Sequence, residues 1–212
     1  MRKIIIFTFL AILLPASGAF SHPHVRMISC ITCDYNGTQC EGCHIQWQFD
    51  DFFSGSTIHD FDKNRDGQFD EKEMKNLYKN AFINLKNYGY FVFFRKGTAR
   101  NNPDTVKEFK AWQKDGVLYY SFFVPFTKLK YDDDFYIAIF DRSFYCSITY
   151  KKTPVIINQK NGVSPVYEII TNKKFPVYYN PLGASDDMTL YKKWKPGLET
   201  AYPDEIHIYF KR

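Results

Sequence analysis

The chain has 212 residues, with 28 Lys and Arg against 23 Asp and Glu, giving a formal net charge of +5. Aromatic residues make up 19% of it, and the two signs of charge are interspersed. That excludes a disordered polyelectrolyte and the one-sided basic face of a nucleic-acid binder, and the length suits one ordinary domain with its own core.

In chain order, residues 1–21 read as a secretory signal peptide. Arg2 and Lys3 make a basic start, an apolar run leads to Pro15, and Ala19 and Ser21 stand where a signal peptidase reads small residues. The run is too short, and too soon broken by Pro15, for a transmembrane span. The expected product is periplasmic, begins at His22 and keeps no stable membrane anchor. Without Arg2 and Lys3 its formal charge falls from +5 to +3.

Strands are expected at 25–33 and 40–49. They flank Asn36 and Gly37, a strong signal for a two-residue hairpin turn.

The stretch 62–73, DKNRDGQFDEKE, fills a calcium-loop template of the EF-hand type position by position. Asp62, Asn64 and Asp66 hold positions one, three and five. Gly67 holds six, where the chain turns sharply with φ > 0. Gln68 at seven offers its backbone carbonyl, Asp70 stands at nine, and Glu73 at twelve is the bidentate carboxylate. Phe69 at eight is the apolar residue that ties the loop into a core. Oxygen donors at this spacing suit a hard cation, and the ligand count favours calcium over magnesium.

After the loop, Met74, Leu77, Tyr78, Ala81, Phe82, Leu85 and Tyr88 fall three and four apart. They predict an amphipathic helix, with Glu71 and Glu73 in a first turn that favours negative charge. The segment before the loop is weaker, because Ser54, Gly55, Ser56 and Thr57 are poor helix formers. A single loop of this kind points to a structural staple rather than a switch.

Further strands are expected at 90–96, 117–124, 135–140, 145–150, 155–158, 166–171 and 205–211, with long loops at 97–105 and 180–203. Many strands around one helical insertion predict an α+β fold: a β-rich, sandwich-like domain with an inserted calcium loop and following helix. The expected organisation is one domain over 22–212 with the insertion at 51–88. No glycine-rich phosphate loop, nucleophile elbow or internal repeat occurs.

Cys30, Cys33, Cys40 and Cys43 form a CxxC–x6–CxxC array. A two-residue turn at Asn36 and Gly37 sets Cys33 opposite Cys40, and Cys30 opposite Cys43. In an oxidising compartment that register favours two cross-strand disulfides. A four-cysteine zinc site is the alternative. It requires the strands to bend, since residues three apart on a strand point to opposite faces. Cys146, inside FYCSITY, reads as a buried apolar residue.

Cleavage after Ser21 places His22, Pro23 and His24 at the amino terminus. The α-amine and the imidazole of His22 can chelate one ion, and His24 adds a third nitrogen. Such ligands suit nickel, cobalt, copper or zinc. Two exposed histidines on a frayed end are the bland alternative. Asp141, in FDRSFY, reads as a turn aspartate bonding its own backbone, with a role as an oxygen ligand the rival. His44, His59 and His207 receive no role.

HPHV at the mature start, IQWQFDDFFS, DFDKNRDGQFDEKE, NLKNYGYF and FYIAIFDRSFYCSITY follow in this order. From about His22 to Tyr150 the chain resembles a family of bacterial periplasmic proteins assigned as the periplasmic component of an ABC-type transport system, often encoded beside nickel/cobalt permeases. TAYPDEIHIYF is similar to a family ending. The hairpin cysteines depart from the family pattern.

The resemblance implies a non-enzymatic, periplasmic metal-binding accessory protein of a transition-metal transport system, partnered by a membrane metal permease and free of nucleic acid. On this reading His22 and His24 hold the transition metal, and calcium fixes the fold. The alternatives are a secreted copper enzyme with an amino-terminal histidine brace, and a calcium-stapled envelope protein that binds a partner through aromatic residues.

Overall fold

The computed structural model describes residues 25–126, 134–183 and 189–211. Strands dominate. β1 (Val25–Asn36) and β2 (Gln39–Phe49) form the first hairpin. Helices α1 (Asp51–Phe61) and α2 (Glu71–Asn80) follow, then a 3₁₀ segment over Phe82–Phe91. The rest is β3 (Val92–Lys96), β4 (Ala99–Asn101), β5 (Lys107–Lys114), β6 (Val117–Pro125), β7 (Asp134–Ile139), β8 (Cys146–Gln159), β9 (Val166–Thr171), β10 (Val177–Tyr179), β11 (Glu199–Ala201) and β12 (Asp204–Tyr209).

Two five-stranded sheets result, ordered β5-β6-β2-β1-β8 and β4-β3-β7-β12-β9, with β10 and β11 forming a small third sheet. The first sheet is mixed, because β1 pairs β8 in parallel. The alternation of apolar and polar residues along β1 and β2 buries Met27, Ile31, Ile45 and Trp47 on one face. Val92, Phe94, Phe135, Ile137, Ile206 and Ile208 of the other sheet join the same apolar cluster. The buried faces of both sheets thus share one core, as a β-rich sandwich requires. Phe122, Phe82 and Phe109 extend it toward the helices through ring contacts at 5.3 and 4.0 Å.

The hairpin register corrects the expected cysteine pairing. Asn36 pairs Gln39 and Tyr35 pairs Cys40, so the turn residues are Gly37 and Thr38. A register shift follows, with Glu41 as the extra residue, and beyond it Cys33 faces Cys43 while Cys30 faces Gln46. Cys33–Cys40 and Cys30–Cys43 are therefore not opposed pairs. The bulge also changes the facing of β2: Cys40 and Cys43, three apart, both turn into the core with Cys33. Cys30 lies on the other face, half-buried. All five thiols are free.

Three further expectations change. The helix after the loop does not run to Tyr88: α2 stops at Asn80, and the 3₁₀ segment ends in a kink at Gly89 (φ 60°) and Tyr90 (φ 53°). The strands expected at 145–150 and 155–158 are one strand, β8, through Pro154. β8 lies at the sheet edge, where a missing N–H is tolerated. The loops expected at 97–105 and 180–203 contain the short strands β4 and β11.

Candidate functional site

The acidic loop joins α1 to α2, which pack against β6 and β5 at one edge of the first sheet. α1 forms despite its weak helix formers because both its ends and its middle are tied. Asp50 caps it, accepting from Phe53 N at 2.9 Å, and also accepts Arg26 N at 2.6 Å. Ser54 is fully buried and its Oγ accepts Leu118 N of β6 at 3.0 Å. The Phe53 ring stacks on Phe49 at 4.7 Å. Tertiary docking thus outweighs propensity.

α2 starts with a reciprocal capping box. Asp70 Oδ1 accepts Glu73 N at 2.8 Å, and Glu73 Oε2 accepts Asp70 N at 3.1 Å. Leu77 on the inner face is fully buried.

Between the helices the loop closes on itself. Gly67 adopts φ 82°, the left-handed conformation expected at position six. Its N–H donates to Asp62 Oδ2 at 3.0 Å. Asn64 Oδ1 accepts Asp66 N at 3.0 Å, and Asp66 Oδ1 accepts Gln68 N at 2.8 Å. Glu73 reaches back across the loop, where its Oε1 accepts Lys63 N at 2.6 Å and Asn64 N at 3.3 Å. Phe69 packs against the core. The carboxylates of loop positions one and twelve are therefore held at the two ends of one turn.

Both are buried: Asp62 is 5% exposed and Glu73 6%. Among the described residues no Lys, Arg or His pairs with either. Asp62 Oδ1 has no hydrogen-bond partner at all. A buried carboxylate oxygen left unpaired is costly, and a cation offers it a partner. Gln113 of β5 donates to the other oxygen, Oδ2, at 3.4 Å. Sequence reasoning missed Gln113, because β5 alternates weakly and only Ala111 in it is buried. The donor set is oxygen only, the turn glycine is in place and one buried oxygen is orphaned, so these residues fit a calcium ion. The loop carboxylates accept backbone amides, and no three of them lie within 4.8 Å of one another.

His22 and His24 lie outside the described residues. Val25, next in the chain, pairs Cys146 at the start of β8, and its N–H donates to Tyr145 O at 3.5 Å. Asp141 organises the turn before that strand. It is 3% exposed and accepts Ser143 N at 2.9 Å, Ser143 Oγ at 2.8 Å and Cys146 N at 3.0 Å. Those are the bonds of a turn aspartate. His44 sits 3.3 Å from Asp34, and His207 bridges Asp134 at 2.9 Å and Glu168 at 3.0 Å.

A second gathering of ligand-type side chains lies in the core. Cys33, Cys40 and Cys43 bring their sulfurs within 4.8 Å of one another, and Cys33 Sγ is 2.9 Å from Cys43 Sγ. They are the one such group of three among the described His, Cys, Asp and Glu side chains. Burial, with the neighbouring thiols, pushes Cys33 and Cys43 well above the usual thiol range. Burial opposes ionisation of Cys40 as well. Hydrogen bonds from Cys33 and Cys43, the Gly42 backbone and Tyr35 outweigh it and bring Cys40 down to about 5. The sequence array had pointed to four cysteines, and the bulge at Glu41 selects three.

A family model described as "Protein of unknown function (DUF1007)" matches residues 7–210, and the chain belongs to that family. It is 34% identical over 107 residues to an uncharacterised 15.5 kDa protein encoded in the trpE 3′ region of Spirochaeta aurantia. That match covers 50% of this chain and 76% of the relative. No helix among the described residues is long and apolar enough to cross a membrane.

Proposed function

We propose that this family member is a periplasmic metal-binding accessory protein of a transition-metal transport system of the nickel or cobalt type, carrying a structural calcium ion in the 62–73 loop. The observation that supports the calcium most is Asp62: a 5%-exposed carboxylate with one unpartnered oxygen, set against Glu73 across a helix–loop–helix turn.

Asp62, Asn64, Asp66, Asp70 and Glu73 would offer side-chain oxygens and Gln68 its carbonyl. When bound, calcium supplies positive charge that neutralises the buried carboxylates. The chain's own residues then set its role. Asp62 hydrogen-bonds Gln113 of β5, Glu73 caps α2, and Asp62 N closes α1 on Ile58 O at 2.9 Å. One ion in the loop therefore ties both helices to the first sheet, the part of a scaffold rather than of a sensor.

Transition-metal binding rests on the sequence of the processed end. The α-amine of His22, its imidazole and that of His24 are three nitrogens close in the chain, of a kind that suits nickel, cobalt, copper or zinc. The role in transport, the permease partner and the absence of enzymatic activity follow from the family resemblance drawn from the sequence.

Metal analysis of the processed chain tests the reading. Protein that starts at His22 should retain one calcium and bind one nickel or cobalt ion. The same chain with one extra residue before His22 should keep the calcium and lose tight transition-metal binding. A processed chain that takes up neither metal overturns the proposal, and an extended chain that binds nickel equally well removes the amino-terminal site.

A further inference from the structure

We propose that Cys33, Cys40 and Cys43 form a three-sulfur site for one soft, thiophilic metal ion of the copper(I) type. The site uses no residue of the calcium loop and neither amino-terminal histidine, and it does not rest on the transport reading.

Three observations carry it. The first is convergence: three sulfurs from two strands meet within 4.8 Å, and no carboxylate or imidazole of the described residues joins them. An all-sulfur donor set selects soft ions and disfavours calcium, magnesium or manganese. The second is dryness. Cys33 and Cys43 are 0% exposed and Cys40 2%. Zinc prefers four ligands, and three buried sulfurs offer it one too few. A copper(I)-type ion is content with two or three sulfurs. Cys146, half-buried, pairs Val25 at the opposite end of β1, and Cys30 faces away.

The third is the bulge. On a regular strand Cys40 and Cys43, three apart, would alternate to opposite faces of β2. The irregularity turns both inward beside Cys33. The same bulge sets Cys33 opposite Cys43 and turns Cys40 toward that facing pair, a third thiol that a two-sulfur bridge does not need. Gly42 makes the turn feasible: a Cβ there would meet Phe123 Cζ at 2.3 Å and Val124 O at 2.6 Å. Tyr35, 1% exposed, lies beside the hairpin turn on the same buried face of β1 as Cys33. Binding releases thiol protons to solvent, and affinity therefore falls as pH drops.

The test uses the processed chain carrying His22→Ala and His24→Ala, so that the amino terminus cannot supply nitrogen ligands. Reduced protein is titrated anaerobically with copper(I) against a chelating indicator. The expected result is one copper per chain and an X-ray absorption spectrum with a sulfur-only first shell of three neighbours. The Cys30→Ser, Cys146→Ser double variant should bind equally well. Cys40→Ser should lose at least about tenfold in affinity. If that variant fails to fold by circular dichroism, the absorption spectrum of the cysteine-intact chain decides the question by itself. A chain that yields copper fully to the indicator overturns the proposal. So does a first shell containing nitrogen or oxygen, and so does peptide mapping of the natively isolated chain that finds Cys33 and Cys43 joined as a disulfide.

Discussion

Glu73→Gln probes the loop most sharply, because Glu73 does two separable things. As a cap it accepts Lys63 N, Asn64 N and Asp70 N. As the proposed calcium ligand it is the carboxylate at loop position twelve. Glutamine keeps one carbonyl oxygen but turns an NH2 toward a backbone donor. With Glu73 only 6% exposed, the metal-free variant should lose about 1–3 kcal/mol through an unpaired buried donor. The calcium effect is distinct. A ligand that binds only the folded state at a hundredfold its dissociation constant stabilises by about 2.7 kcal/mol. For a chain of this size that raises the melting temperature by about 5–11 °C. Differential scanning calorimetry with chelator and with millimolar calcium reads both terms. The wild-type chain should show the full calcium increment, and Glu73→Gln should melt lower in chelator and show almost none. A wild-type melting temperature indifferent to calcium, or an increment preserved in Glu73→Gln, refutes the reasoning.

Three further predictions concern the scaffold. Glu205 is 1% exposed and receives Arg95 at 2.7 and 3.1 Å and Arg100 at 3.0 and 3.2 Å, so Glu205→Gln weakens the pairing of a buried and a half-buried guanidinium and should cost about 3–5 kcal/mol in urea denaturation; a loss under about 1 kcal/mol contradicts the ion triad. Gly42→Ala forces a Cβ against Phe123 and the Val124 carbonyl and should cost about 1–3 kcal/mol by the same assay, whereas a neutral effect rejects the close packing at the bulge. Ser54→Ala leaves the buried Leu118 N–H without its acceptor and should cost about 1–3 kcal/mol, with faster amide exchange at Leu118; unchanged exchange rejects the docking of α1 on β6.

What could be read from the sequence was what local chemistry dictates. Gly67 is expected to turn with φ > 0 and adopts φ 82°. β9 appears with its expected bounds, Val166–Thr171, and β6 and β7 nearly so. What escaped was decided between elements. α1 looks poor in isolation and is held by Asp50, Ser54 and the Phe49 ring. β5 carries charged and amide side chains, and pairing with β6 alone makes it a strand. The hairpin shows how small an error matters. Asn36 and Gly37 signalled a turn, but the turn residues are Gly37 and Thr38, and Glu41 is an extra residue. One step of register and one bulge replaced two expected cysteine pairs with a triad.

Diffraction from crystals of the processed chain grown in calcium tests the central claim most directly. The account predicts one strong peak inside the 62–73 loop, bound by Asp62, Asn64, Asp66, the Gln68 carbonyl and both oxygens of Glu73, with Asp62 Oδ1 no longer orphaned. A loop that keeps Glu73 on the amides of Lys63 and Asn64, with no ion beside Asp62 at millimolar calcium, contradicts it.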